Sequence, residues 1–328
     1  MNRNGLIFRA VPDSGNAKLY LNPAGVPELA MPNRLTFLPE TENKLDTAGQ
    51  SFWYPQKETP LPARADWVVN TCADADCYGA ALAALDRTYD ARSVPIFNHP
   101  RAVMAARRDI AGRLLHGIEG LEVPLCRRFL AQSPLSFIEC FESSGFRYPV
   151  TLQPTASQNG QGRIWIEHPF DWQTAFNLGG GGRAHFMVQA DPAEKQAQWQ
   201  MRMIFVGRGG IAEPLMLTKS EGLADPAMQL SKPLAQGIFA AAMSRLPLDH
   251  WTLDLLVMGP NKCRLLDVAP GLPMPFEQDN QPDLKALTMR MTKHLKPRVE
   301  GLLFSPEKWR PEVQKLLSVA QLMEKYGK

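Results

Sequence analysis

The sequence predicts an α/β protein made of several subdomains, and three observations lead to this fold class. A chain of 328 residues is too long for one ordinary core, so two or three subdomains are expected. A strand, a helix and a second strand follow one another between Trp67 and Asn98 with tight links. Three segments after Tyr148 have the pattern of paired strands joined by short polar or Gly-rich loops. The expected molecule therefore combines a parallel sheet with several β-hairpins.

The first 64 residues carry weaker signals. They are rich in Pro, Asn and Gly, and short apolar pieces lie at Leu6–Phe8, Leu19–Leu21 and Leu35–Leu38. These pieces could supply edge strands, whose order the pattern leaves open.

A strand–helix–strand unit follows. Trp67–Asn70 is predicted to be a short buried strand, Tyr78–Tyr89 an Ala/Leu-rich helix and Val94–Asn98 a second strand. Such a unit implies parallel strands with functional loops at their C-terminal ends. Those loops begin at Asn70-Thr71 and Asn98-His99-Pro100.

A helical pattern runs from Arg101 to Gly120 and carries Arg107, Arg108 and Arg113. An arginine group on such a helix is more often a solvated face than a binding site. The next predicted elements are a strand, Leu121–Phe129, and a short helix, Leu135–Ser144.

The stretch Tyr148–Glu167 predicts a hairpin, because apolar residues alternate with polar ones in both arms. Its loop, from Pro154 to Gly162, contains Ser157 and Gly160. The exposed backbone N–H groups of such a loop could wrap an anion such as phosphate. The alternative is a mobile tip that binds nothing.

Two later hairpins place charged residues opposite one another. Trp199–Val206 pairs with Ile211–Lys219, and symmetric closure puts Arg202 opposite Leu215 on the face that carries Lys219. In the hairpin from Trp251 to Ala269, closure about Pro260-Asn261 puts Asp254 opposite Asp267. The two carboxylates repel each other, so Mg²⁺, a nearby arginine or a register slip is needed to neutralise them.

Composition excludes some classes of partner. Lys and Arg number 36 against 33 Asp and Glu, and the net charge of +3 is too balanced for a protein that binds nucleic acid or an anionic membrane.

The five cysteines are scattered without zinc spacing, as is typical of reduced thiols. No apolar run suggests a signal peptide or a membrane span. We expect a cytoplasmic protein.

Taken in order, these parts resemble the ATP-grasp superfamily, in particular its glutathione synthetase-like and ribosomal-protein glutamate ligase-like branch. The resemblance covers Asp66 to Pro270. Asn98-His99-Pro100, Arg108-Asp109 and Val123-Pro124 look like the run that closes the family's first domain. Tyr148-Pro149-Val150 through Gly160-Gln161-Gly162 looks like its lid hairpin. Asp254 with Asp267-Val268-Ala269 resembles its metal-binding "D … E-x-N".

The sequence departs from the family pattern at three positions. The lid lysine that holds ATP phosphates corresponds to Gln153, which carries no charge. The "E-x-N" glutamate corresponds to Asp267, and its asparagine to Ala269, which cannot bind a metal. One phosphate-binding cation and one metal ligand are therefore missing.

The resemblance implies an ATP-grasp-like α/β fold, in which an N-terminal parallel-sheet (pre-ATP-grasp) domain adjoins two α+β subdomains that clamp a nucleotide cleft. The implied divisions are an N-terminal domain at 1–120, a lid subdomain at 121–190, a C-terminal ATP-grasp subdomain at 191–290 and a helical tail at 291–328.

It also implies an ATP-dependent carboxylate–amine ligase that forms a peptide bond through an acyl phosphate. ATP and Mg²⁺ are the implied cofactors, small-molecule or peptide carboxylates and amines the substrates, and a homo-oligomer or a partner protein is compatible with it. The alternative is a degenerate pseudoenzyme that serves as a binding or scaffold subunit. The implied residues are Arg202 for catalysis, Asp254 and Asp267 for metal, and Arg108, Gln153, Ser157, Gly160, Gly162, Met187, Val188 and Lys219 for the nucleotide.

Overall fold

The computed structural model of the chain describes most of its residues. These are 4–15, 18–21, 27–31, 33–35, 37, 39–55, 60–89, 94–157, 162–180, 182–196, 200–206, 215–216, 230–271, 282–309 and 318–326.

The described residues form an α/β structure. The strands are β1 (Gly5–Ala10), β2 (Lys18–Leu21), β3 (Pro27–Ala30), β4 (Gly49–Tyr54), β5 (Trp67–Asn70), β6 (Ile96–Phe97), β7 (Leu121–Glu122), β8 (Cys126–Ala131), β9 (Val150–Pro154), β10 (Ile164–Ile166), β11 (Arg183–Gln189), β12 (Gln200–Val206), β13 (Leu215–Met216), β14 (His250–Gly259) and β15 (Lys262–Ala269). The α-helices are α1 (Pro39–Ala48), α2 (Gly79–Thr88), α3 (Pro100–Ala105), α4 (Arg108–Leu115), α5 (Pro134–Ser143), α6 (Asp171–Ala175), α7 (Ala193–Gln196), α8 (Lys232–Arg245), α9 (Pro282–Phe304) and α10 (Val319–Tyr326).

The N-terminal sheet has the order β4-β1-β5-β6, and its strands are parallel. The predicted strand–helix–strand unit is therefore confirmed. The expectation that residues 1–64 supply edge strands is wrong for Leu6–Phe8, which lies in β1 between β4 and β5. These three residues are buried because β1 is covered on both faces, as a central parallel strand is. The ring of Trp67 fills the space beside Gly5, where an added Cβ would lie 1.9 Å from it.

The helix predicted from Arg101 to Gly120 is two helices, α3 and α4. Arg107 breaks it, because its extended backbone (φ −55°, ψ 135°) makes it the N-cap of α4. The side chain of Arg107 pairs with Asp109 in the first turn, with its Nε 2.6 Å from Oδ1. This break places Arg107 and Arg108 at the start of a helix rather than along a solvated face.

The sheet that contains the predicted lid hairpin, called the lid sheet below, has the order β10-β9-β11-β8. The predicted hairpin is confirmed, since Ile164 pairs with Leu152 and Ile166 with Val150 in antiparallel register. Strand β9 is buried along most of its length because β11 pairs with its other edge, and the lid sheet packs on α5 and α6. The strand predicted at Leu121–Phe129 is wrong as one element: β7 pairs with β15, whereas β8 belongs to the lid sheet.

The C-terminal sheet has the order β13-β12-β14-β15-β7. Both predicted registers are confirmed, with Arg202 opposite Leu215 and Asp254 opposite Asp267. Two bulges interrupt the β14–β15 ladder, one on each side of Leu255–Val257. Each shifts the register by one residue, in opposite directions, so the register beyond them is unchanged. The bulge next to Asp254 leaves Leu266 without a partner in the ladder, a position that matters for the cleft described below.

The C-terminal tail is structural, as its helical pattern predicts. Leu295, Val299 and Leu302 of α9 share a core with Ile7 and Val69 of the N-terminal sheet. Among the residues that the structure describes, no helix is long and apolar enough to cross a membrane.

Candidate functional site

A cleft of about 430 Å³, part of it open to solvent, lies between the N-terminal sheet, the lid sheet and β15. Most of its charged and polar lining comes from four parts of the chain: the loop after β5, the start of α4, strand β9 and strand β15. These parts supply Asp74, Asp76, Arg107, Arg108, Gln153 and Asp267.

Arg108 is the residue at which these parts meet. Its guanidinium donates one hydrogen bond to Oε1 of Gln153 and another to the backbone carbonyl of Leu266. That carbonyl belongs to the unpaired residue of the bulge in β15. In an uninterrupted ladder this carbonyl would accept a hydrogen bond from the neighbouring strand. The bulge makes it available to Arg108. Arg108 thereby links the lid sheet to the C-terminal sheet.

Gln153 is buried, with 2% of its surface exposed, so its amide must find partners within the protein. Besides accepting from Arg108, it donates from Nε2 to the carbonyl of Ser157 at 3.2 Å. The Ser157 hydroxyl donates to the Pro154 carbonyl at 2.7 Å. The first turn of the lid loop is therefore held against the cleft.

Asp254 and Asp267 lie opposite each other in the C-terminal sheet, and Asp267 lines the cleft. Burial raises the pKa of Asp267, and the facing Asp254 raises it further. Arg108 acts against this rise, as does the Val268 N–H, which donates to Oδ1 of Asp267 at 3.0 Å. The site therefore holds a carboxylate whose charge is only partly compensated by the protein.

A second acidic group lines the opposite side of the cleft. Oδ1 of Asp74 accepts the N–H groups of Asp76 at 2.7 Å and Cys77 at 3.2 Å, and Oδ2 accepts from the Asn33 amide at 2.7 Å. The same Asn33 amide donates to the carbonyl of Ala156 in the lid loop at 3.2 Å. The residues around Asp74 thus connect the N-terminal domain to the lid.

A salt bridge makes a further connection between these two parts. Nε of Arg128, on β8, lies 2.8 Å from Oδ1 of Asp76. Sequence patterns did not reveal it, because the two residues lie in segments with no shared periodicity.

The Asp74→Asn variant is expected to remove a pH dependence of stability. Burial raises the pKa of Asp74 from 3.8 to about 6, so the folded protein binds this proton more tightly than the unfolded chain. The wild type should therefore lose stability as the pH rises from about 4 to about 6. Asparagine does not titrate and adds only a constant offset.

The measurement is the free energy of urea unfolding of both proteins across that range. The difference between the two free energies cancels the contributions of titrating groups common to both. One such group is His250, whose pKa burial lowers to about 4. Identical slopes in the two proteins would contradict the assignment to Asp74.

An ion cluster, which sequence analysis missed, fastens the lid sheet to the C-terminal sheet behind the cleft. At its centre is Arg264, 4% exposed, whose Nε lies 3.0 Å from Oε1 of Glu194. Its other nitrogens donate to Glu122 and to the carbonyl of Gln189. Arg163 also pairs with Glu194, at 3.4 Å, and Lys262 with Glu122, at 2.6 Å. The cluster joins β7, β11, α7 and β15 to Arg163, the residue before β10.

The remaining predicted residues have different positions. Met187 and Val188 are buried in β11 and do not line the cleft, whereas their neighbour Phe186 does. Gly162 begins the return of the lid hairpin with φ +70°, which glycine adopts readily. Gly160, Lys219 and the side chain of Arg202 lie outside the described residues.

The described residues contain no group of three or more His, Cys, Asp or Glu side chains arranged to hold a metal. Asp254 and Asp267 are two carboxylates facing each other on adjacent strands. Mg²⁺ is commonly bound through one or two carboxylates together with nucleotide phosphates. The pair therefore fits a metal that arrives with a nucleotide and does not fit one held by the protein alone.

No family model matches the sequence, and the search of curated proteins finds no significant match. Solved structures do match in fold. The RimK domain protein ATP-grasp from Sphaerobacter thermophilus DSM 20745 is 14% identical, with a TM-score of 0.51 over 89% of this chain and 99% of that one. D-alanyl-alanine synthetase A from Vibrio cholerae O1 biovar eltor str. N16961 is 11% identical, with a TM-score of 0.52 over 90% of this chain and 100% of that one.

A carboxyaminoimidazole ribonucleotide synthase from Aspergillus clavatus, complexed with ATP, is 13% identical, with a TM-score of 0.50 over 83% of this chain and 71% of that one. At such identities the similarity concerns the fold. The chain has an ATP-grasp-like α/β fold, as the sequence predicted.

Proposed function

We propose that this chain binds ATP in the cleft and acts as an ATP-dependent carboxylate–amine ligase. The observation that carries the proposal is that Arg108, Gln153 of the lid hairpin and Asp267 line one cleft, and that Asp254 lies opposite Asp267 on the neighbouring strand. A cation for phosphate and two carboxylates for a phosphate-bound metal are what phosphoryl transfer requires. The ATP-grasp-like fold supports the assignment.

In this proposal Arg108 binds phosphate oxygens, and Gln153 and Ser157 hold the lid loop over them. Asp254 and Asp267 would hold Mg²⁺ together with the phosphates, and the metal would neutralise charge there. The resemblance adds Lys219, Gly160 and Arg202 at the phosphates and, at the adenine, Met187 and Val188, which do not line the described cleft.

The reaction has two steps. An oxygen of the substrate carboxylate attacks the γ-phosphorus of ATP and displaces ADP, which gives an acyl phosphate. The amine then attacks the acyl carbon, a peptide bond forms, phosphate leaves and the amine loses a proton. Both steps depend on positioned charge around the transferring phosphoryl group. The substrates are small-molecule or peptide carboxylates and amines.

The second candidate is a binding or scaffold subunit that has lost catalysis. Two observations favour it. The guanidinium of Arg108 already donates to protein acceptors, Gln153 and Leu266. Ala269, opposite Thr252, cannot supply a third metal ligand. This candidate predicts weak nucleotide binding that does not depend on Mg²⁺.

Replacing Asp254 or Asp267 with Asn separates these candidates. For the ligase, each substitution should weaken Mg²⁺-dependent ATP binding about tenfold or more, because a charge-assisted contact is lost. Asp267→Asn should also stabilise the ligand-free protein, since it removes the repulsion between the two carboxylates. Calorimetric titration of ATP with and without Mg²⁺, with thermal melts, measures both effects.

The matched control is Asp86→Asn, which removes a carboxylate paired with Arg101 at 2.9 Å outside the cleft. This control should bind Mg-ATP like the wild type. Reduced stability of the Asp254 and Asp267 variants, with an unchanged response to Mg-ATP, would contradict the metal site. The ligase itself is tested by ADP formation that requires a carboxylate and by peptide-bond formation that requires the amine as well.

A further inference from the structure

Arg163, a member of the ion cluster, lies directly across the lid hairpin from Gln153. The antiparallel ladder of the hairpin pairs Ile164 with Leu152, so the register continued by one residue places Arg163 opposite Gln153. Side chains of such a cross-strand pair are direct neighbours on one face of a sheet, with their Cβ atoms about 5 Å apart.

The next residue of the hairpin supports this register. A Cβ added to Gly162 would lie 3.2 Å from Cγ of Pro154, so residue 162 lies beside residue 154. Leu152 belongs to the core of the lid, and side chains alternate between the two faces of a strand. Residues 153 and 163 therefore share the opposite face, and Gln153 lines the cleft there. Arg163 thus lies one strand away from the lining of the cleft.

The guanidinium of Arg163 is poorly satisfied in this position. Its Nη1 lies 3.4 Å from Oε2 of Glu194, which is longer than an ordinary N–H···O hydrogen bond. The same carboxylate already has Arg264 at 3.0 Å. Nε of Arg163 is buried, and no described residue accepts a hydrogen bond from it. A buried donor without an acceptor is costly, so a further anion would be stabilised here.

The charges of the cleft act on Arg163. Burial lowers the pKa of Arg163 and Arg108 lowers it further, whereas Glu194 and Asp267 act in the opposite direction. Both arginines in turn oppose the rise in the pKa of Asp267. Arg108 and Arg163 are therefore two cations beside the same carboxylate, and the protein compensates the charge of Arg163 only in part.

The bonds of Arg108 explain why a positive charge suits position 163 better than position 153. Arg108 donates a hydrogen bond to Oε1 of Gln153. A lysine in place of Gln153 would offer Arg108 no acceptor and would repel it. Across the hairpin, a cation meets Glu194 and Asp267 as well as Arg108, so the repulsion is partly offset.

We propose that Arg163 binds the polyphosphate of the ligand in the cleft and supplies, from the β10 arm of the lid hairpin, the charge that Gln153 lacks in the β9 arm. The inference rests on the proposed function and adds a binding residue to it. On binding, the guanidinium exchanges its long contact with Glu194 for phosphate oxygens, which suit its planar donors. Glu194 keeps Arg264 and the Asp191 N–H.

Calorimetric titrations of the full chain with Mg-ATP and with magnesium tripolyphosphate test this assignment. Arg163→Gln keeps a donor for Glu194 but removes the charge, so the affinity for both ligands should fall about tenfold or more. Arg163→Lys keeps the charge, and its affinities should remain within about threefold of those of the wild type. Thermal melts of the ligand-free proteins report any structural contribution separately.

Lys195→Gln is the matched control. Lys195 follows Glu194 in α7, and its Nζ lies 2.8 Å from Oε1 of Glu167 and 4.8 Å from the centre of the Trp165 ring. It does not line the cleft. The control removes one positive charge from the same part of the lid, and it should bind both ligands like the wild type.

Wild-type affinity in Arg163→Gln would overturn the inference, as would an equal loss in Arg163→Lys, and in both cases Mg-ATP binding by the wild type leaves the proposed function standing. Tripolyphosphate binding that depends on Arg163, without binding of Mg-ATP, would contradict the proposed function and leave this assignment standing. Binding of neither ligand to the wild type would overturn both.

A second pair of variants decides if Arg163→Gln fails to fold. Glu194→Gln and the double variant Arg163→Gln/Glu194→Gln both lack the carboxylate that the loss of Arg163 would leave with one partner fewer. The double variant should bind both ligands about tenfold more weakly than Glu194→Gln. Equal affinities in these two proteins would overturn the inference.

Discussion

Replacing Arg264 with Met is expected to lower the free energy of unfolding by about 3–5 kcal/mol, the usual cost of removing one partner from a buried ion pair. Methionine preserves much of the side-chain volume, so the loss reports charge rather than packing. Glu194, 7% exposed, would lose the guanidinium and keep its 3.4 Å contact with Arg163 and the 3.2 Å hydrogen bond from the Asp191 N–H. The Gln189 carbonyl would also lose its donor from Arg264. Urea unfolding with a common m-value measures the loss.

Lys262→Met provides the matched control. Lys262 pairs with the same Glu122 at 2.6 Å, but it is 54% exposed, so its removal should cost less than about 1 kcal/mol. Equal losses in the two variants would show that the ion cluster does not fasten the sheets together. If the ion cluster does fasten the sheets, hydrogen exchange of Arg264→Met should increase in β7, β11 and β15.

Asn98→Ala is expected to cost about 3 kcal/mol or more. The Asn98 amide accepts the N–H groups of Asp249 at 2.8 Å and His250 at 2.9 Å, and donates to the His250 carbonyl at 2.9 Å. Asn98 is 1% exposed, so water cannot replace these bonds, and each buried group left unsatisfied costs about 1–3 kcal/mol. Its φ of 49° is also unfavourable for alanine.

Asn98→Gly separates the two contributions, because glycine accepts a positive φ and lacks the amide. It should recover about 1 kcal/mol relative to Asn98→Ala and remain well below the wild type. Thermal and urea unfolding of the three proteins measure the difference. An alanine variant within about 0.5 kcal/mol of the wild type would show that the amide contributes little.

Local signals in the sequence were sufficient for part of this structure. The register of Asp254 and Asp267 follows from their distances to one short turn, and the hairpin at Tyr148–Glu167 follows from its alternation. Such pairings can be predicted because only a short connection separates the two strands. The two bulges did not change the predicted register, because their shifts cancel, and no sequence pattern predicted the bulges themselves.

Features that depend on distant residues could not be predicted. Strand β1 is central because β4 and β5 join it from 44 and 62 residues further along, and its own sequence does not identify these partners. The ion cluster takes charges from four segments, each of which alone resembles a solvated surface residue. The arginine pattern alone placed Arg108 on a solvated face, whereas the break before α4 directs its side chain to Gln153.

The contacts of the lid with the N-terminal domain also bear on the entry of a ligand into the cleft. Arg128 is 38% exposed but Asp76 only 5%, so breaking their bond leaves a largely buried carboxylate without this partner. The Asn33 bond to Ala156 adds about 1 kcal/mol. A ligand larger than the open part of the cleft admits can enter only while these two contacts are broken. Apparent affinity for such a ligand falls by the fraction of molecules in which they are broken.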